Sequence, residues 1–180
     1  MNTFAELELY HRGPYVTFYT VWYEIDEGNY QEYSLTDAFF NEFHQDKHPL
    51  REAAEQIANL IAILGKRKRG VDRGHDLRFE NSANALPPKQ RLVPREIRSN
   101  HHNPLRLYCY HVTSQIVILF SGGLKTTHNP KDCPNVRSHF NRAIQLADEL
   151  DELFRDREIR VDGNELSCDR PIIKWPTKSL

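Results

Sequence analysis

Hydrophobic and polar positions alternate most regularly in the middle of the chain. Between residues 105 and 111, Leu, Leu, Cys and His alternate with Arg and two Tyr, and this period of two is typical of a half-exposed strand. After a turn at residues 113–115, residues 116–120 are apolar at every position, as in a central strand. The two runs predict neighbouring β-strands, the second of which ends at the Ser-Gly-Gly of residues 121–123.

Two segments in the first half of the chain repeat their apolar residues at the helical period of 3.6. The first is a short helix, which the hydroxyl group of either Ser34 or Thr36 can cap. The second begins at Pro49, because a proline in the first helical turn has no hydrogen bond to lose. It ends at Gly65 or Gly70.

The remaining segments complete the predicted elements. Residues 15–25 are almost wholly β-branched and aromatic and predict a strand, whose rings are core and cross-strand pairs or, alternatively, a base-stacking platform. Residues 95–99 predict a further short strand. Residues 135–155 predict the longest helix, which has one apolar and one charged face.

Two segments lack a strong periodicity. Residues 70–94 are rich in Gly, Asn and Pro and predict a long loop that contains a short strand around residues 77–79. After residue 157, an Asp-Gly-Asn turn between short apolar runs indicates a small hairpin or an extended arm.

These elements predict an α+β fold. The order is β-α-α-β-β-β-α with a C-terminal extension, and the sheet is antiparallel and twisted with helices packed on one face. Residues 1–157 form a single domain, and residues 158–180 form the extension or small hairpin. A chain of 180 residues is long enough to bury a hydrophobic core.

Composition points to a cytoplasmic protein. Apolar residues make up 39% and charged residues 27% of the chain, and no apolar run approaches the ~20 residues that a membrane span needs. The first residues lack the basic N-terminal region and the apolar segment that a signal peptide has. Three cysteines at wide spacing are interpreted as reduced thiols.

Charge is distributed unevenly along the chain. Residues 65–142 carry 15 basic and 5 acidic side chains, residues 1–64 carry 3 and 11, and residues 143–180 carry 6 and 9. This distribution favours one polyanion-binding face on an otherwise acidic protein. Alternatively, the segments interleave in the fold and their charges pair. The basic run at residues 66–69 can likewise complement a helix dipole or contact nucleic acid.

The spacing of His and Cys residues argues against a metal site. His44 and His48 have helical spacing but no adjacent Glu, and Cys133 and His139 lack a partner pair. Cys109 lies on an apolar strand face, which indicates an inert core thiol. Residues 121–126 lack the Gly-Lys-Ser/Thr of a phosphate-binding loop, so no cofactor is predicted.

Short motifs between residues 95 and 153 resemble the RelE/HigB superfamily of bacterial toxin ribonucleases. They are Arg-Glu-Ile-Arg at 95–98, Leu-Arg-Leu-Tyr-Cys-Tyr at 105–110, the apolar strand at 116–120, and Gly-Leu-Lys-Thr-Thr at 123–127, followed by a helix. The resemblance implies a RelE/ParE-like fold and metal-independent mRNA cleavage on the ribosome. It also implies a cognate antitoxin that covers the basic face.

The resemblance also implies which residues act. The candidate catalytic residues are Arg98, Arg106, Tyr108, Lys125 and His128, of which His128 is proposed for proton transfer only by its reach along the chain. The candidate nucleic-acid-binding residues are Lys66, Arg67, Lys68, Arg69, Arg95 and Tyr110. Cleavage requires a base for the 2′-OH, cations for the phosphorane-like transition state and an acid for the leaving oxygen.

The chain departs from the family in two ways. It lacks a clear counterpart of the Tyr or His that the family's last strand often supplies, and its net charge of −1 contrasts with strongly basic relatives. The alternative prediction is therefore a catalytically weak or inactive interaction module that binds a protein partner through its basic face.

Overall fold

Ten strands and three α-helices make up the described part of the chain. The computed structural model describes residues 3–26, 29–168 and 174–177. In chain order the elements are β1 (Thr3–Arg12), β2 (Thr17–Asp26), β3 (Asn29–Tyr30), α1 (Leu35–Phe43), α2 (Arg51–Gly65), β4 (Arg78–Glu80), β5 (Ala83–Leu86), β6 (Leu105–Thr113), β7 (Ile116–Leu124), α3 (Arg137–Arg155), β8 (Ile159–Asp162), β9 (Glu165–Cys168) and β10 (Lys174–Thr177).

A mixed and mostly antiparallel sheet has the order β10-β1-β2-β7-β6-β5-β4. The parallel pair β2–β7 is joined only at Thr17, Phe18 and Tyr19. Farther along, α1 supplies hydrogen bonds between the two strands: the Thr36 hydroxyl donates to the Phe120 carbonyl at 3.2 Å and contacts the Thr20 hydroxyl at 2.7 Å. A helix side chain thus satisfies backbone and side-chain groups in the sheet interior.

Helices pack on both faces of this sheet. Alternate residues of β7 lie in different core clusters: Ile118 and Phe120 pack with α3, whereas Val117 and Leu119 pack with α1 and α2. The prediction of helices on one face is therefore wrong. The physical reason is visible in the sequence, because a strand that is apolar at every position needs cover on both sides.

The structure confirms the three predicted helices and the strands of residues 15–25, 105–111 and 116–120, with shifted ends. The Ser34 side chain caps α1 and accepts a hydrogen bond from the Asp37 N–H at 3.1 Å. Helix α2 begins two residues after Pro49 and ends at Gly65. The small hairpin after residue 157 is formed by β8 and β9, with Gly163 in the turn at a φ of 61°.

Other elements differ from the prediction. Strand β1 was not expected, although it pairs with β2 along most of its length, and the fully buried strand β5 lies within the segment predicted as a loop. Residues Arg95–Ile97 form a 3-10 turn, so the strand predicted at 95–99 is wrong. Pro94 precedes this turn, and the Arg98 side chain donates hydrogen bonds to carbonyls of its own loop. Both features favour a compact turn over a strand that pairs with a neighbouring strand.

The α+β class is confirmed, and the short strand predicted around residues 77–79 is β4. The predicted order β-α-α-β-β-β-α nevertheless omits β1, β3, β4 and β5 and counts the strand at 95–99 that does not form. Strand β10 pairs with β1 and extends the sheet by one strand. No helix in the described ranges is long and apolar enough to cross a membrane.

Candidate anion-binding site

Two arginines at one end of the sheet are held by main-chain carbonyls. On β4, Arg78 donates from Nε to the Pro87 carbonyl at 2.8 Å and from Nη2 to the Pro88 carbonyl at 3.2 Å. On β6, Arg106 donates from Nη1 to the Asn103 carbonyl at 2.9 Å. Carbonyl dipoles fix the planes of the guanidinium groups and leave their net charge in place.

Arg98 is held in the same way. Its Nε donates to the Val93 carbonyl at 2.9 Å, and its Nη2 donates to the Arg91 carbonyl at 2.8 Å. Among the described residues, Arg78, Arg98 and Arg106 form no ion pair with a carboxylate. Three oriented positive charges that form no ion pair in the described part of the chain favour the binding of an anion.

Glu80 lies two residues after Arg78 and therefore on the same face of β4. Burial raises the pKa of the Glu80 carboxyl, and the positive charges of Lys125, Arg106 and Arg78 offset part of that rise. All three cations thus lie within electrostatic reach of one carboxylate. We call these four residues (Arg78, Glu80, Arg106 and Lys125) the central cluster.

The cations of the central cluster are partly desolvated. Burial, reinforced by Arg78, lowers the pKa of Arg106 to about 10. Burial also lowers the pKa of Lys125, and Arg106 and Arg78 add to this effect while Glu80 opposes it. Lys125 directly follows β7, and its backbone N–H donates to the Pro104 carbonyl at 2.9 Å. Both groups are close to the interior, where electrostatic interactions are stronger than in water.

Tyr108 lies in the core beneath this cluster. The side chain is fully buried and packs edge-to-face against Phe140 of α3, with 5.9 Å between ring centroids. Burial and the charge of Glu80 raise the pKa of Tyr108. Its hydroxyl and the Nε of Arg106 have no hydrogen-bond partner within the described ranges. Unpaired buried donors are rare and often mark functional sites, but the burial of Tyr108 gives its ring no contact with a solvent-borne ligand.

The other predicted site residues lie elsewhere. Tyr110 faces α3, where it stacks on Phe154 with 6.2 Å between centroids and donates a hydrogen bond to Asp151. Arg95 is exposed in the 3-10 turn and His128 is exposed in a loop, and neither is a described partner of the central cluster. The structure therefore brings Arg106 and Lys125 together, with Arg98 nearby across a cavity that Arg78 also lines.

The basic run at residues 66–69 surrounds a buried carboxylate. Arg67 forms an ion pair with Asp76, and Arg69 approaches the same carboxylate at 3.2 Å. Burial would raise the pKa of Asp76, but hydrogen bonds from the Asp72 N–H, His75 and Arg67 outweigh it and lower the pKa. Lys66 and Lys68 are exposed. Two of the four cations are thus engaged in a structural ion pair.

Sequence reasoning missed Glu80 and the environment of Cys133. Alternation of Arg78 and Glu80 in a predicted short strand was the available signal for Glu80. Burial would raise the pKa of the Cys133 thiol, but the hydroxyl and N–H of Thr126 and the N–H groups of Asn135 and Thr127 lower it to about 6. No sequence signal identifies these donors, because they come from irregular backbone around the thiol.

The part of the chain that the structure describes contains no group of three His, Cys, Asp or Glu residues placed to hold a metal ion. Comparison of the chain with protein-family models, curated proteins and solved structures finds no match. The function is therefore inferred from the sequence motifs and from the chemistry of Arg98 and the central cluster.

Proposed function

We propose that the protein is a metal-independent endoribonuclease of the RelE/HigB toxin type, and that the central cluster binds and cleaves single-stranded RNA. The observation that carries this proposal is the set of three arginines held by carbonyls and free of carboxylate ion pairs. Guanidinium groups in fixed orientations match the oxygens of a phosphodiester.

The central cluster contains a group for each proton transfer. Glu80 takes the proton of the ribose 2′-OH, and the 2′-oxygen attacks phosphorus. Arg106 and Arg78 stabilise the negative charge of the transition state. Lys125, whose pKa is lowered by burial, donates a proton to the departing 5′-oxygen. The products are a 2′,3′-cyclic phosphate and a 5′-hydroxyl, and solvent then takes the proton from Glu80 and returns one to Lys125. Lys125 thereby replaces His128 as the proposed proton donor.

A second candidate function is a non-catalytic module that receives an acidic partner such as an antitoxin. The observation that favours it is the position of β4, which lies at the edge of the sheet and carries Arg78. An extended acidic segment can pair with an edge strand and place its carboxylates near these cations.

The test uses a 5′-labelled single-stranded RNA in the presence of EDTA. We expect the wild type to produce fragments with 2′,3′-cyclic phosphate ends. We expect Arg106→Gln to reduce cleavage by about 100-fold. The matched control is Arg155→Gln, which removes an exposed arginine at the end of α3 and should cleave like the wild type. Circular dichroism verifies that each variant is folded.

Two results would contradict the nuclease proposal. RNA that stays intact with folded wild-type protein, both free and on translating ribosomes, excludes it and leaves the interaction module as the interpretation. Equal losses in Arg106→Gln and in the control would place catalysis outside the central cluster. Expression in a bacterial host, with growth and mRNA 5′-ends followed, tests the toxin assignment separately.

A further inference from the structure

A basic cavity lies beside the central cluster and shares Arg78 with it. Its volume is about 450 Å³, and it is lined by Arg78, Lys89, Gln90, Arg91, Arg98 and His102. Pockets that hold small ligands begin at roughly 300 Å³. No carboxylate is among the described residues of its lining, so its charge suits an anion.

The wall of this cavity is fixed by hydrogen bonds to the backbone of its own loop. Arg98 donates to the carbonyls of Arg91 and Val93 at 2.8 and 2.9 Å. The Gln90 side-chain amide donates to the Ser99 carbonyl at 2.5 Å. These bonds close the loop over sequence separations of five to nine residues, so the Arg98 guanidinium is held in place before a ligand binds. Pre-organisation of this kind reduces the entropic cost of binding.

We propose that the basic cavity holds the phosphate group that flanks the reacting phosphate of a single-stranded nucleic acid. This inference rests on the proposed function in taking RNA as the ligand of the central cluster. Arg78 contributes to both places: it lines the cavity, and its charge acts on Glu80 and Arg106. Two cationic sites that share one guanidinium favour a ligand whose successive phosphates are covalently linked.

A nucleoside diphosphate is the competing ligand, because its two phosphates are also linked. The polynucleotide is favoured because the basic cavity and the central cluster share only Arg78, which suits two phosphates that are separated by a nucleoside. The substrate is therefore expected to need at least two phosphates separated by a nucleoside.

The test measures binding with compounds that cannot be cleaved. Dinucleotides with 2′-O-methyl riboses lack the attacking hydroxyl, and they can carry one internal phosphate alone or an additional phosphate at the 5′ or the 3′ end. We expect one of the two additional phosphates to tighten binding to the wild type by about tenfold at low salt. The slope of log K against log salt concentration should steepen by about 0.7.

Two arginine variants test which residues provide the gain in affinity from the additional phosphate. Arg91→Gln changes an exposed arginine of the cavity, and Arg155→Gln changes another exposed arginine, which is remote in sequence from it. We expect Arg91→Gln to lose most of the gain from the additional phosphate, whereas the Arg155→Gln control keeps it.

Three results would overturn the inference: no gain from either terminal phosphate, an undiminished gain in Arg91→Gln, or competition by ADP as strong as that by the doubly phosphorylated dinucleotide. Because these compounds are not cleaved, the result does not depend on catalysis. A protein that shows the gain but never cuts RNA would refute the endoribonuclease proposal and leave the cavity assignment standing.

Discussion

The protein carries two groups of basic side chains that differ in what holds them. In the first group, Arg67 and Arg69 surround the buried carboxylate of Asp76. In the second group, Arg78, Arg98 and Arg106 are held by main-chain carbonyls. A carboxylate neutralises the charge that it binds, whereas a carbonyl orients a guanidinium and leaves its charge available.

This difference separates a structural role from a binding role. Removal of a partner from the first group leaves a buried charge without compensation and should lower stability. Removal of a cation from the second group breaks no ion pair in the described residues and should lower the affinity for an anion. Basic residues therefore predict polyanion binding only after the acceptors around them are known.

Substitution of Glu80 should have the largest effect on activity. We expect Glu80→Gln to reduce RNA cleavage by about 1,000-fold, because it removes the proposed general base, while RNA binding is retained. For the wild type, burial raises the pKa of Glu80, so cleavage should rise with pH through a value above that of an ordinary Glu. Single-turnover rates between pH 4 and 9 measure both effects. A wild-type rate independent of pH would remove Glu80 from this role.

Substitution of Asp76 should have the largest effect on stability. We expect Asp76→Ala to lower the free energy of unfolding by about 3 kcal/mol, since it leaves Arg67 without its partner in a largely buried position. Urea denaturation measures this value, and Asp132→Ala at an exposed carboxylate is the control.

The pH dependence of this stabilisation has a defined sign. Because the pKa of Asp76 is lowered in the folded protein, its contribution is present above the usual Asp value of 3.8 and is lost as pH falls through the folded pKa. The difference in unfolding free energy between wild type and Asp76→Asn should shrink in acid. A difference that is constant from neutral pH into acid would contradict a carboxylate held by hydrogen bonds.

The salt dependence of RNA affinity should distinguish the two groups by a smaller effect. We expect Arg78→Gln to reduce the slope of log K against log salt for single-stranded RNA by about 0.7, the value for one lost phosphate contact. Fluorescence anisotropy at several salt concentrations gives this slope. The same slope in the variant and the wild type would show that Arg78 does not contact phosphate.

The smallest effect is expected at Lys68, an exposed residue of the basic run at residues 66–69. Lys68→Gln should leave both RNA affinity and the denaturation midpoint unchanged, because an exposed cation without a fixed partner contributes little. A clear loss of RNA affinity would extend the binding surface to the run at residues 66–69.

The sequence was sufficient for the elements with strong periods. Apolar repeats located α2 and α3, and continuous apolar character located β7. It was not sufficient for β5, whose four residues include Asn84 and are buried only because β4 and β6 flank them. Nor could it assign Arg67 and Arg106 to different roles, since Asp76 and the Asn103 carbonyl become their partners only in the folded chain.

The short parallel pairing of β2 with β7 has a consequence for synthesis of the chain. It joins Thr17–Tyr19 to Ile116–Ile118, so the hairpin of β1 and β2 leaves the ribosome long before its neighbour exists. Phe18 and Val21 are fully buried in the finished fold. Until β7 emerges, they lack the packing partners that this strand provides. Contacts between such distant segments form slowly, and partly folded chains that expose apolar strands are prone to aggregation. A nascent chain that ends before β7 is therefore a natural client for chaperones.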